Sequence, residues 1–304
     1  MSLLTIGTLA FDSIETPFGK VDRVLGGSCT YVSWAASYFT KQINLVSIVG
    51  GDFPKGEMDG LKKIGVDLEG LEIKDTGKTF FWAGRYHMNM ISRDTLATDL
   101  NVLDDFNPVL PKTYKSSEFV MLGNLTPDLQ EQVLDQLDGT QSFVALDTMN
   151  FWMDLAMDKL LEVIERVDVL MINDEEARQL SGEYALVHAA EKILTMGPKY
   201  LIIKKGEHGA LLFDKENIFF APGLPLAEVK DPTGAGDTFA GGFMGYLTKT
   251  GDISFENMKR AVIYGSAMAS FCVEEFSLDG LKKLDTDIIE SRVKEFAELV
   301  RFSL

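Results

Sequence analysis

Two cysteines, three histidines and three tryptophans are all that the 304 residues contain. Cys29 and Cys272 allow at most one bridge, which excludes a disulfide scaffold, and their spacing does not read as a zinc site. His87, His188 and His208 are too scattered along the chain to form a metal cluster by spacing. Basic residues are also scarce: 29 Lys and Arg stand against 46 Asp and Glu, a formal charge of −17. Phosphate backbones are held by clustered Lys and Arg, so nucleic acid is not expected as a partner. No apolar run approaches the roughly 20 residues of a membrane span, so no membrane partner is expected either. The opening residues, Met1-Ser2-Leu3-Leu4-Thr5-Ile6-Gly7, lack a basic segment and a long apolar stretch. They read as a first strand, and the expected compartment is the cytoplasm. There is no GxxxxGK[ST] loop and no GxGxxG opening the chain, which disfavours the common nucleotide-binding folds.

What is present is ordinary for a globular protein: 46% apolar and 25% charged residues, which excludes a disordered or low-complexity chain. Short β-branched runs recur at residues 4–7, 45–49, 119–123, 143–147, 169–173 and 200–204. Each is too short for a helix and apolar on both faces, as a buried parallel strand should be. Amphipathic helical patterns separate them, among them Thr126 to Leu137 and Glu183 to Met196. Alternating strand and helix predict an α/β protein with helices on both faces of a mostly parallel sheet. Several strands end in Gly123, Asp147, Asn173 or Lys204, and ligands of open α/β sheets bind beyond such ends.

Two segments break the rhythm. Residues 11–25 are short and turn-rich, and residues 71–100 have strand-like aromatic and β-branched content without a helical period. Together they predict a small β-sheet lid on a main domain of residues 1–10, 26–70 and 101–304. On such a lid, Phe81, Trp82, Arg85 and Tyr86 either line the inner face or pack the small sheet. Arg85 and Arg93 either meet an acidic substrate or form surface ion pairs.

The strongest chemical signal is Asp231-Pro232-Thr233-Gly234-Ala235-Gly236-Asp237-Thr238-Phe239. A turn leads into a helix ending near Lys249, with Gly251 as a stop. The helix N-terminus at Gly234, Ala235 and Gly236 offers unpaired N–H groups and the positive end of a dipole, a site for phosphate or a developing phosphoryl charge. Asp237, in the first turn, either caps the helix or accepts a proton from a substrate hydroxyl. Gly241, Gly242 and Gly245 inside the helix each cost about 1 kcal/mol against alanine, so another element is expected to pack very close there.

This run resembles the second signature of the PfkB/ribokinase family of sugar and nucleoside kinases. Other pieces follow in family order: Gly7 to Asp12, Gly26-Gly27-Ser28, Val49-Gly50-Gly51-Asp52, Asn173-Asp174-Glu175-Glu176 and Gly206-Glu207-His208-Gly209. The resemblance spans the whole chain. It implies a ribokinase-like three-layer α/β/α domain with a β lid, and an ATP-dependent kinase that phosphorylates a hydroxyl, mainly the hydroxymethyl of a sugar or sugar-like molecule. It implies Asp237 as the base and Gly234, Ala235 and Gly236 as the anion hole. Asp12, Gly26, Gly27 and Asn150 would bind substrate, and Lys204, Gly206, Gly209, Thr233 and Gly236 the nucleotide. Glu176 and Asn173 would hold Mg2+ through water, and Asp231 with Thr233 a monovalent cation such as K+. A homodimer contact through the lid is also compatible with it. Two places depart from the sugar-kinase pattern. Ser28 and Tyr31 stand where many members have a basic residue and Asn, and Asp147 to Trp152 lacks an Arg. A nucleoside kinase with Tyr31, Phe81, Trp82 or Phe151 stacked on a base is the alternative, and a non-catalytic sugar or nucleotide sensor a more distant one.

Overall fold

The computed structural model describes residues 1–303. In chain order the strands are β1 (Leu3–Ile6), β2 (Ala10–Thr16), β3 (Gly19–Gly26), β4 (Ile43–Gly50), β5 (Val66–Lys74), β6 (Phe81–Tyr86), β7 (Arg93–Asp99), β8 (Phe119–Leu122), β9 (Phe143–Asp147), β10 (Val169–Asn173), β11 (Tyr200–Lys204), β12 (Ala210–Phe213) and β13 (Ile218–Ala221). The helices are α1 (Ser28–Ala36), α2 (Lys55–Lys63), α3 (Pro127–Gln136), α4 (Asn150–Leu155), α5 (Met157–Ile164), α6 (Asp174–Ser181), α7 (Leu186–Leu194), α8 (Ala235–Thr250), α9 (Phe255–Val273) and α10 (Thr286–Leu299).

Nine strands form one sheet in the order β13-β12-β11-β10-β9-β8-β1-β4-β5. The pairs from β11 through β5 are all parallel, and the β11–β12 and β12–β13 pairs at one edge are antiparallel. Successive side chains along a strand point to opposite faces, and here both faces are covered. Leu3, Met121, Ala145, Met171 and Ile202 face a core shared with Val32, Phe243, Leu247 and Met268 of α1, α8 and α9. Leu4, Val120, Leu146, Leu170 and Ile203 face a second core built with Val133, Val163, Ala177 and Ile193 of α3, α5, α6 and α7. This is the expected three-layer α/β/α arrangement, and it explains why the strands read as unbroken apolar runs.

The glycines inside α8 are explained by its neighbours. A Cβ on Gly241 would stand 2.5 Å from the Val32 carbonyl, and one on Gly245 2.8 Å from the Ala36 Cα, both on α1. On the other side, a Cβ on Gly242 would stand 3.0 Å from the Cα of Gly265 in α9. The glycines let three helices approach almost backbone to backbone.

A separate four-stranded sheet has the order β3-β2-β6-β7. Its limits differ from the expected lid. Residues 71–74 belong to β5, which runs parallel to β4 from Ile43↔Val66 to Gly50↔Lys74 and closes the edge of the main sheet. Its mixed pattern, Asp67-Leu68-Glu69-Gly70-Leu71-Glu72, is that of a half-exposed edge strand, which is why it resembled lid sequence. Ala10 and Gly26, expected in the main domain, are the first pair of the small sheet's β2–β3 hairpin.

Candidate active site

The N-terminus of α8 is set by Gly234, which takes a left-handed conformation (φ 76°, ψ 1°) as N-cap. A side chain there would also collide with the ring of Tyr31. Behind it, Asp231 closes the turn: its Oδ1 accepts from the Thr233 amide at 2.9 Å and its Oδ2 from the Ser277 amide at 3.2 Å. Asp237 lies in the first turn of α8 and keeps a partial opening to solvent. No side-chain cap closes this helix, so the carboxylate is not consumed as a cap.

Around Asp237 the ends of three adjacent strands place charge. Asp147 ends β9, Asn173 ends β10 and Lys204 ends β11. Lys204 reaches across β10 to donate to Asp147 Oδ1 at 2.8 Å. Burial pushes the Asp237 carboxyl up to about 7; the charge of Asp147 adds to the rise and that of Lys204 opposes it. Burial acts to lower the pKa of Lys204, but the carboxylates of Asp147 and Glu176 outweigh it and leave it raised. Glu176 is likewise pushed up to about 7 by burial, against the pull of Lys204.

Asn173 and Glu176 form a capping box at the start of α6. Asn173 Oδ1 accepts from the Glu176 amide at 2.8 Å, and Glu176 Oε2 accepts from the Asn173 amide at 2.7 Å. The pair satisfies two backbone donors of the helix start. It holds the Glu176 carboxylate in the same charged group as Asp147 and Lys204. The only amide oxygen of Asn173 is committed to the cap.

Asp12, on β2, faces this group from the small sheet. It is 5% exposed, and burial pushes its carboxyl up to about 7, with Asp231 and Asp237 adding to the rise. A side chain on Gly26 would overlap the Asp12 carboxylate, and Gly27 (φ 91°) turns the chain into α1 against the Thr8 carbonyl. Both glycines therefore make room for Asp12 and the turn. Asp12 stands opposite Trp82 in the β2–β6 register, and alternation along β6 puts Trp82, Gly84 and Tyr86 on one face. Thr233 Oγ1 donates to the Tyr86 hydroxyl at 3.2 Å, so this face looks toward the start of α8. Arg93 pairs with Tyr86 in the β6–β7 register, and its charge acts on both Tyr86 and Glu176. Arg85 points away and pairs with Glu15 at 2.8 Å.

Other predicted residues are placed as follows. Asn150 is exposed at the first turn of α4. Gly206 (φ 54°) faces open space, whereas a Cβ on Gly209 would overlap the Ala221 carbonyl of β13; Gly209 serves the hairpin. One reading needs correction. Tyr31 is 1% exposed and packed under Gly234, so it has no free face on which a base could stack. Ser28 exchanges hydrogen bonds with Thr8: Thr8 N donates to Ser28 Oγ and Ser28 N to Thr8 Oγ1, each at 3.1 Å. That hydroxyl ties β1 to α1. The sequence reading missed the Asp147–Lys204 pair. Its signal was present, since two charged residues each end a strand whose other residues are apolar. A half-open apolar hollow of about 390 Å3 between β13, α9 and α10 is lined by Phe219, Phe220, Ile263, Tyr264 and Phe296 and lies apart from the carboxylates.

The arrangement sets a carboxylate in the first turn of a helix, with a cation on the same side, a combination that can support phosphoryl transfer. The pattern of the pfkB family of carbohydrate kinases matches residues 8–283. The chain therefore belongs to the pfkB family. It is a phosphotransferase that acts on a hydroxyl group. A cytidine kinase of Thermococcus kodakarensis is 29% identical over 252 residues, 80% of this chain and 87% of that one. A nucleoside kinase of Methanothermobacter thermautotrophicus is 25% identical over 289 residues, 90% of this chain and 89% of that one. Among solved structures, the nucleoside kinase of Methanocaldococcus jannaschii, an archaeal member of the ribokinase family, superposes with a TM-score of 0.77 at 21% identity, covering 97% of this chain and 99% of that one. No helix of the described residues is long and apolar enough to cross a membrane.

Proposed function

We propose that the protein transfers the γ-phosphoryl group of Mg-ATP to the hydroxymethyl group of a ribose-like ring, carried most naturally by a nucleoside. The observation that carries the reaction is the convergence of Asp237, the Gly234–Gly236 amides and Lys204 at one helix N-terminus. The acceptor enters between Asp12 and the start of α8. Asp12 holds ring hydroxyls beside Gly26 and Gly27, with Asn150 at the rim. Asp237 takes the proton of the attacking hydroxyl, and its raised pKa makes it a stronger base than an ordinary carboxylate. The amides of Gly234, Ala235 and Gly236 receive the negative charge that develops on the transferring group.

The space at Gly236 suits a phosphoryl oxygen: a Cβ there would meet only the Nζ and Cε of Lys204 within 4 Å. The donor set near Glu176 suits a hard cation, because carboxylate oxygens are the ligands Mg2+ takes. Glu176 would hold it, with Asn173 fixing the Glu176 carboxylate. When bound, Mg-ATP supplies the phosphoryl group and neutralises part of its charge. Gly206 and Thr233 would flank the nucleotide. The turn closed by Asp231 is the candidate place for K+.

The nucleoside reading rests on the two nucleoside-phosphorylating relatives, which cover most of the chain, and on Trp82, whose ring shares the lid face of Asp12. A free pentose is the second reading, favoured by the family match. A lid-to-lid homodimer is supported by the exposure of Met88, Ile91 and Leu96 on the lid. The test is ADP release from Mg-ATP with K+, against panels of nucleosides, pentoses and sugar acids. Nucleoside-dependent ADP release that disappears in Asp237→Asn supports the proposal. Release with pentoses alone selects the second reading, and silence with all panels overturns both.

A further inference from the structure

Gly236 is a glycine without a backbone reason to be one. It lies in the first turn of α8, and its φ is not positive. Other glycines of this run are explained by collision: Gly234 by the Tyr31 ring, Gly241 and Gly245 by α1. At Gly236 the nearest atom to an added Cβ is the Lys204 ammonium, at 3.1 Å, and the next is Lys204 Cε at 3.9 Å. The ammonium therefore closes directly over the first turn of α8, and only a residue without a Cβ leaves room beside it.

Lysine does not hold such a position by itself. Its head is a point charge on four rotatable carbons, and the nearby carboxylates of Asp147, Glu176 and Asp237 all attract it. Only Asp147 binds it directly, at 2.8 Å. Asp147 is in turn fixed as the last residue of β9, with its carbonyl accepting from Gln130 Nε2 at 3.2 Å. One ammonium proton is thus used on Asp147. The other two remain for an anion lying between Lys204 and the Gly236 amide.

We propose that Asp147 is a positioning residue that holds the Lys204 ammonium over the Gly236 amide, so that Lys204 contacts the terminal phosphoryl group of the bound nucleoside triphosphate. The inference rests on the reading of this site as phosphoryl-transfer machinery and adds a residue to it. Asp147 keeps the ammonium off Asp237, which leaves that carboxylate free to take a proton. It acts through Lys204 alone.

The test needs no acceptor. Binding of Mg-AMP-PNP and of Mg-ADP is measured by calorimetry for the wild type, Asp147→Asn, Lys204→Met and the double variant. The expected result is a loss of about tenfold or more in affinity for Mg-AMP-PNP in both single variants, with Mg-ADP changed less than about twofold. These limits correspond to a charge-assisted hydrogen bond to the terminal phosphate. The double variant is expected to be no weaker than Lys204→Met, because Asp147 has nothing left to position. The double variant removes both members of the Asp147–Lys204 pair, so Asp147 leaves no unpaired partner behind, and it serves if Asp147→Asn does not fold. Equal losses for both nucleotides, no loss, or losses that multiply in the double variant would each overturn the proposal. Turnover of Asp237→Asn is measured in parallel. If Asp237→Asn keeps full turnover, the reading of the base fails; if only the binding pattern fails, the role of Asp147 fails alone.

Discussion

Tyr86 of the small sheet and Thr233 of the turn before α8 meet hydroxyl to hydroxyl at 3.2 Å. Tyr86 is 7% exposed, so the four-stranded sheet is seated on the turn that leads into α8 in this structure. The contact joins two segments nearly 150 residues apart and gives the lid a fixed landing point. Tyr86→Phe keeps the ring and removes the bond. Its expected effect is an acceptor KM raised about fivefold with kcat nearly unchanged, the size of one neutral hydrogen bond. Steady-state kinetics with the best acceptor checks it. A fall in kcat alone would mean that the contact serves the chemical step instead.

Asp237→Asn separates catalysis from stability. Turnover should drop by roughly 10²–10⁴-fold, the usual contribution of a positioned base. Stability at pH 8 should rise. The folded-state pKa is about 7, above the ordinary 3.8, so the folded chain holds a proton that the unfolded chain releases. The stabilisation from that proton is complete below about pH 4 and is lost as pH rises through 7. The neutral amide removes the penalty, and a gain of about 1 kcal/mol or more is expected, seen as a few degrees in melting temperature.

With Asp237 as the proposed base, the same titration is expected to set the pH profile. The base must be ionised to accept a proton, so kcat/KM of the free enzyme should fall as pH drops below about 7. Asp12, also raised to about 7, titrates in the same window, and the two share a field. The acidic limb should therefore spread over two macroscopic steps that belong to the pair, as coupled groups require. A limb centred near pH 4 would contradict the burial of both carboxylates.

One substitution separates the capping role of Glu176 from its proposed metal role. Glutamine retains an oxygen that accepts from the Asn173 amide, so Glu176→Gln should keep the capping box and the fold. It loses the charge proposed to hold Mg2+. The expected result is an unchanged melting temperature with a Mg2+ requirement raised about 10-fold or more, as for other residues that support metal binding. Asn173→Ala, by contrast, should cost roughly 0.5–2 kcal/mol of stability, because the cap is lost.

Gly234→Ala should be the most damaging single change in the turn. The position needs φ 76°, and a methyl group would strike the Tyr31 ring. A loss on the order of 1–3 kcal/mol is expected from the backbone alone, with further loss from the clash. Denaturant unfolding measures it. Gly206→Ala shares a positive φ but meets no neighbour, so its loss should be smaller.

Much of this protein was legible before its structure. The apolar runs at 143–147, 169–173 and 200–204 became β9, β10 and β11 at those limits, because a strand buried on both faces has no polar positions to blur its ends. The glycines of α8 announced close neighbours, since a helix keeps three glycines only where a side chain would not fit. The second half of the expected lid was less legible. Residues 71–74 alternate like a lid strand, but they pair with β4, and pairing depends on a partner distant in sequence.

The sequence alone determined the alternation of strand and helix, the turn into α8 and the family, because each depends on local pattern: periodicity, glycine and the order of short motifs. Only the tertiary structure decided how charges meet. Nothing local tells that Lys204 spans β10 to reach Asp147, that Tyr31 lies under Gly234, or that Arg93 rather than Arg85 turns toward Glu176. Electrostatic pairing in a buried site is set by distance through space and by the water that packing removes. Both come into being when the strands assemble into one sheet.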